Sequence, residues 1–150
     1  MFSLNFYNYY GLPLNDKPYY QVLFIILFFI IISSNNILDF FLLSVINFLG
    51  IYMIFIIKEQ LKTDRPIDCI KDKIDYCPNS YDIPSGHSYI SVLWIMIFLH
   101  KKNPYNYPFI IYLLFVPLSR YLGKLHTIEA ITSGIVLGFL WFFLYTLIDS

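Results

Sequence analysis

The 150-residue sequence predicts an all-α fold, an integral membrane helical bundle of about five transmembrane helices in a single domain, residues 1–150. Three observations predict it. Apolar residues make up 58% of the chain and charged residues only 13%, with a mean hydropathy of +0.62. A soluble domain carries roughly a quarter charged residues, and charges this scarce cannot cover a water-facing surface without large apolar patches. The apolar residues gather in five blocks separated by polar turns. Lipid requires backbone polar groups to be satisfied within each crossing segment, so such blocks fold as helices.

The first block, Tyr19–Ser34, closes on the turn signal Ser33-Ser34-Asn35-Asn36. The second, Phe40–Ile57, and the fifth, Ile128–Ile148, are the two that comfortably reach the length of a span, about 17 to 20 residues. The third, Tyr89–Leu99, is short and extends back to Pro84, with Ser85, Gly86 and His87 in its first turn. Lys101-Lys102-Asn103-Pro104 separates it from the fourth, Tyr107–Leu118, where Pro108 suits a helix start and Pro117 predicts a kink or stop. Met1–Pro18 lacks the basic n-region and small-residue cleavage site of a signal peptide. Ten basic residues balance ten acidic ones at a pI near 6.8, so nothing points to a nucleic-acid partner. Two cysteines cannot frame a disulfide-rich scaffold.

Five spans sort the polar residues onto two membrane faces. One face takes the N-terminus, the Lys58–Ile83 connection and the Ser119–Thr127 connection. The opposite face takes the turns after the first and third blocks and the C-terminus. Eight of the ten basic residues fall on the first face: Lys17, Lys58, Lys62, Arg65, Lys71, Lys73, Arg120 and Lys124. The positive-inside rule would make that face cytosolic, a vote that weakens if some of these cations serve chemistry. Lys62 reads as a helix-end anchor, and Lys71, Lys73 and Lys124 as solvated loop charges. His100, beside Lys101 on the other face, reads as interfacial and without function.

Three clusters meet on the basic face: Lys58-x6-Arg65-Pro66, Pro84-Ser85-Gly86-His87, and Ser119-Arg120-x5-His126. A phosphate is the natural ligand for two imidazoles and three cations at one interface. Arg offers planar bidentate donors to phosphate oxygens and Lys a point charge. A Ser-Gly pair opening a helix presents backbone N–H groups where the helix dipole favours an anion, and Gly86 lets the backbone come close. The plainer reading of Pro84-Ser85-Gly86 is a turn and helix start, and Lys58 and Arg65 could anchor a helix end. The shared face and order of the clusters favour the phosphate site.

In that order the clusters resemble the signature motifs of the type 2 phosphatidic acid phosphatase superfamily, over about Lys58 to Gly138. The resemblance implies a helical-bundle fold of that type and hydrolysis of a phosphate ester or anhydride with no metal and no cofactor. It implies His126 as the nucleophile that forms a phosphohistidine, and His87 as the acid for the leaving oxygen. Lys58, Arg65 and Arg120 would hold the phosphoryl oxygens, aided by Ser85 and the Gly86 amide. The implied partner is a membrane lipid phosphate or diphosphate in the bilayer; protein partners stay unknown.

One position departs from the family pattern. The acid four residues after the nucleophile, which orients its ring, is here Ala130. Glu129 stands one residue earlier, and two readings of it remain open. With Thr127 capping the fifth helix, Glu129 orients His126, since residues three apart are neighbours; otherwise it is an acid suited to the helix N-terminal dipole. The loss of that acid also admits a weak or silent lipid-phosphate-binding protein. His126-Thr127 without the fourth-position acid is similar to the dolichyl diphosphatase branch, which makes a polyprenyl diphosphate the expected substrate, ahead of phosphatidic acid. That branch implies endoplasmic reticulum and a lumenal active site. Cys69 and Cys77 would pair if the basic face is lumenal and remain free thiols otherwise.

Overall fold

The computed structural model describes residues 18–67, 69 and 81–149, and all regular structure among them is helical. Helix α1 (Pro18–Ser33) starts at a proline, whose missing N–H costs nothing at a first turn. Helix α2 (Ile37–Leu61) is capped by Asn36, whose side chain accepts from the Asp39 N–H at 2.9 Å, while Asp39 accepts from the Asn35 N–H at 2.9 Å. It closes on Lys62, which takes the left-handed conformation (φ 48°) and donates its N–H to the Lys58 carbonyl. Helix α3 (Gly86–Lys101) is capped by Ser85. A short 3-10 turn (Pro104–Asn106) leads into α4 (Tyr107–Leu122). Thr127 caps α5 (Ile128–Asp149), accepting from the Ala130 N–H at 3.2 Å.

At 1.5 Å per residue α2 and α5 are about 37 and 33 Å long, enough to cross the roughly 30 Å hydrocarbon core of a bilayer. Their most apolar stretches are only 28% and 17% buried. The core helix of a soluble protein would be mostly enclosed. Here Phe41, Phe48 and Phe55 on α2 and Phe139, Phe143 and Leu147 on α5 face outward. Together with Phe24, Ile31, Ile111 and Phe115 they form an apolar outer surface that belongs in lipid. The chain is a membrane protein.

Helix α3 is the hub, and every other helix packs against it. Tyr89, Leu93, Trp94, Ile97 and Phe98 recur at helical spacing and are fully enclosed. Phe29 from α1 packs its ring against Trp94 and Phe98. Two polar bonds cross this core between α3 and α2: Trp94 Nε1 donates to Asn47 Oδ1 at 3.0 Å, and the Tyr89 hydroxyl donates to the Ile46 carbonyl at 3.5 Å. The α3–α5 contact is the most extensive in the bundle, and two glycines permit it. A Cβ at Gly134 would stand 2.4 Å from the Ser85 carbonyl oxygen, and one at Gly138 would stand 2.9 Å from that of Tyr89.

The alternating directions of the helices bring the C-termini of α2 and α4 to the same end as the N-termini of α3 and α5. The other end holds an ionic clasp. Lys101 Nζ lies 2.7 Å from Asp39 Oδ2 and 3.8 Å from Asp149 Oδ2. The Tyr145 hydroxyl bonds both acids, and His100 Nε2 lies 3.3 Å from Asp149. His100, expected to be idle, therefore takes part in tying α3 to α5. Pro117 does not stop α4, which continues to Leu122. A single lost ladder bond is tolerated in an apolar helix whose neighbours and Ser side chains support it, and Ser119 Oγ donates back to the Val116 carbonyl at 2.7 Å.

Candidate functional site

All three motif clusters converge on one end of the bundle, as their order along the chain requires. The last turn of α2 carries Lys58, whose ammonium donates to the carbonyls of Tyr81 and Asp82, the latter at 3.0 Å. Arg65, just beyond that helix, is buried and donates from Nη1 to the Leu125 carbonyl at 2.5 Å. The Leu125 N–H in turn donates to the Arg120 carbonyl at 3.0 Å. Arg120, in the last turn of α4, is buried as well. His87 stands in the first turn of α3, half-buried, within electrostatic reach of the cations Arg120, Arg65 and Lys58 and of the His126 imidazole. The loop before α3 is docked on α5 through the Ser85 N–H, which donates to the Ala130 carbonyl at 2.8 Å.

His126 lies in the loop between α4 and α5 and is buried. Its Nδ1 is 2.6 Å from Oδ1 of Asp82. The other carboxylate oxygen accepts from the Thr127 hydroxyl at 2.6 Å and the Thr127 N–H at 3.2 Å. Asp82 is itself held from both sides. Its N–H donates to the Thr63 carbonyl and the Ile83 N–H to Thr63 Oγ1, each at 2.9 Å.

The electrostatics follow from burial and these partners. Burial pushes the Asp82 carboxyl up, but the hydrogen bonds from His126 and Thr127 and the attraction of His126 outweigh it and hold the group below its ordinary value. Burial lowers His126 most; Asp82 opposes this while Arg65 and Lys58 add to it, and the imidazole is pushed down to about 4. At neutral pH it is therefore uncharged, with Nδ1–H donating to the carboxylate. Nε2 is left with the lone pair.

Asp82, and not Glu129, holds the Nδ1 of His126. The Glu129 side chain is exposed and lines an apolar groove with Ile57, Leu61, Ile83, Pro84 and Ile128. Spacing along the helix puts Glu129 near His126 in sequence but on the outward side of the first turn. Ser85 caps α3. Its hydroxyl is fully buried and engaged at the cap, accepting from Ser88 Oγ at 3.1 Å and the Ser88 N–H at 3.4 Å. Around Gly86 there is room, with an added Cβ meeting only Ile54 Cγ2 at an ordinary 3.9 Å. The close backbone approaches lie instead at Gly134 and Gly138.

Three residues escape the sequence reading: Asp82, Thr63 and Thr127 as a partner of Asp82. The available signal was an acid two positions before Pro84, but nothing local shows that it reaches a residue 44 positions away. Cys69 is disulfide-bonded and buried. Cys77, the chain's other cysteine, lies outside the described residues, as do Lys17, Lys71 and Lys73.

Residues 22–150 match the family model of the PAP2 superfamily. No curated protein and no solved structure matches the chain.

Proposed function

The chain belongs to the PAP2 superfamily, and from that premise we propose a membrane lipid phosphatase, a diphosphatase that uses a phosphohistidine and takes a polyprenyl diphosphate of the dolichyl type. The observation that carries the reading is the buried His126–Asp82 bond of 2.6 Å beside His87 and three cations. In this mechanism the Nε2 lone pair of His126 attacks phosphorus and the bond to the leaving oxygen breaks. His87 gives that oxygen its proton. A water then attacks the phosphohistidine, His87 takes the water's proton, and the P–N bond opens to release phosphate and neutral His126. Lys58, Arg65, Arg120 and the Gly86 N–H at the start of α3 hold the phosphoryl oxygens, where charge spreads in the transition state. Besides the attacking water, every step uses groups of this chain, and none calls on a metal or cofactor.

The multi-pass topology and a lumenal active site belong to the same proposal. The disulfide at Cys69, on the connection that carries Lys58, Arg65 and Asp82, suits an oxidising compartment. An apolar groove of about 590 Å³ beside Pro84 and Ile128 suits a substrate whose tail stays in lipid.

Purified protein assayed for phosphate release against dolichyl diphosphate and phosphatidic acid tests this reading. Release that is faster with the diphosphate, unaffected by EDTA and abolished by His126→Ala or His87→Ala supports it. Preference for phosphatidic acid replaces the substrate, loss of activity in EDTA overturns the metal-free mechanism, and binding without release favours a silent lipid-phosphate-binding protein.

A further inference from the structure

We propose that Asp82 is the positioning carboxylate of His126, supplied from the loop before α3 rather than from α5 itself. The inference rests on His126 as nucleophile and says which group makes it one.

Position 130, where the motif calls for an acid, is a fully buried alanine, and the neighbouring Glu129 is exposed. Among the described residues Asp82 is the carboxylate bonded to His126, and both side chains are nearly enclosed, 1% and 4% exposed. The bond is local to neither partner, so it exists only when the loop before α3 is docked on α5. The fold secures that docking several times over. Thr63 holds the backbone on both sides of Asp82, Lys58 holds the carbonyls of Tyr81 and Asp82, and Ser85 bonds Ala130. The second oxygen of Asp82 grips both the N–H and the hydroxyl of Thr127, so a single carboxylate fixes His126 and the residue after it.

The chemistry asks for this arrangement. A carboxylate on Nδ1–H keeps the attacking lone pair on Nε2 and stabilises the positive charge that grows on the ring as Nε2 bonds phosphorus. The consequence is specific to this chain: the short loop that carries the carboxylate behind the nucleophile runs straight into the first turn of α3, where the proton donor His87 stands five residues on. The two halves of the reaction are thereby placed by the same segment.

The test is Asp82→Asn and Asp82→Glu in the full-length protein, with kcat and KM measured separately and the histidines observed by 15N NMR. The expected results are a fall in kcat of about a hundredfold to ten-thousandfold for Asp82→Asn, little change in KM, and partial recovery in Asp82→Glu. The charged groups acting on His126 include Asp82, Arg65 and Lys58, and His87 interacts with it across the site. Removing the one negative charge also moves the acid limb of kcat/KM to lower pH, which a purely structural role for the loop would not do. A folded Asp82→Asn protein with kcat within threefold of the parent overturns the proposal, as does a loss confined to KM with an unmoved limb. If Asp82→Asn fails to fold, the parent protein alone decides: His126 protonated on Nδ1 at neutral pH supports the assignment, and protonation on Nε2 overturns it. Because the tautomer is read without substrate, its outcome is separable from whether the diphosphatase reading itself holds.

Discussion

Gly134→Ala probes how finely the two histidine-bearing elements are placed. The added methyl would lie 2.4 Å from the Ser85 carbonyl oxygen, 3.1 Å from Ser88 Cβ and 3.2 Å from the Tyr89 nitrogen. A real Cβ essentially never comes within 3.0 Å of such atoms, and the nearest one belongs to backbone, so α3 and α5 must part by roughly 0.6 Å or more. Overpacking of this kind costs about 1–3 kcal/mol, offset by up to about 1 kcal/mol from the better helix propensity of alanine. The net loss of stability is therefore modest. The catalytic loss is larger, because the displaced backbone is the Ser85 segment bonded to Ala130, next to both Asp82 and His87. A displacement near 1 Å costs on the order of a hundredfold in rate. Thermal unfolding in detergent together with phosphate release measures both quantities. The expected variant is folded, slightly less stable, and slower by tenfold to a hundredfold. Parent-like activity would refute the claim that the α3–α5 approach sets the site. Gly86→Ala is the control on stability, since its Cβ meets only an ordinary contact at 3.9 Å.

Glu129→Gln leaves kcat within about twofold of the parent, because the side chain lies in the groove and not on His126; a hundredfold loss in phosphate release would contradict this. Lys101→Met leaves Asp39 with no cation at the clasp, and breaking such an enclosed pair costs about 3–5 kcal/mol. Its thermal midpoint falls clearly, and adding Asp39→Asn restores part of the loss. His126 titrates near 4 in the native protein but near 6.5 when unfolded. Between those values the unfolded chain binds a proton that the native one does not, so stability from this group is complete above 6.5 and falls as the pH drops through the window. The acid limb of kcat/KM that reports His126 accordingly lies well below 6.5, and a limb centred at 6.5 would contradict the assignment.

Much of the fold is legible in the residues because lipid leaves few options. The apolar blocks map onto helices whose ends differ by a few residues, and the Ser33–Asn36 and Lys101–Pro104 signals fall at the breaks between helices. The limits come from capping: Ser85 starts α3 earlier than its apolar run does, and Lys62 extends α2 beyond Ile57. The shared end of Lys58, Arg65, His87, Arg120 and His126 is likewise readable, since alternating helix directions decide it. The orienting acid is not. A carboxylate four or three residues along a helix can be inferred from period alone, whereas Asp82 reaches His126 through a backbone-held loop. The ionic clasp is hidden for the same reason. Asp39, Lys101 and Asp149 belong to three helices, and only their packing against one another brings the charges together.

The central claim is that His126, held by Asp82, accepts the phosphoryl group. Rapid quench under alkaline conditions with a phosphorus-labelled lipid diphosphate, followed by mapping of the label, tests it most directly. The account predicts an acid-labile phosphoryl group on His126 in the parent protein, and neither label nor turnover in His126→Ala. Label on any other residue, or phosphate release that survives His126→Ala, would contradict it.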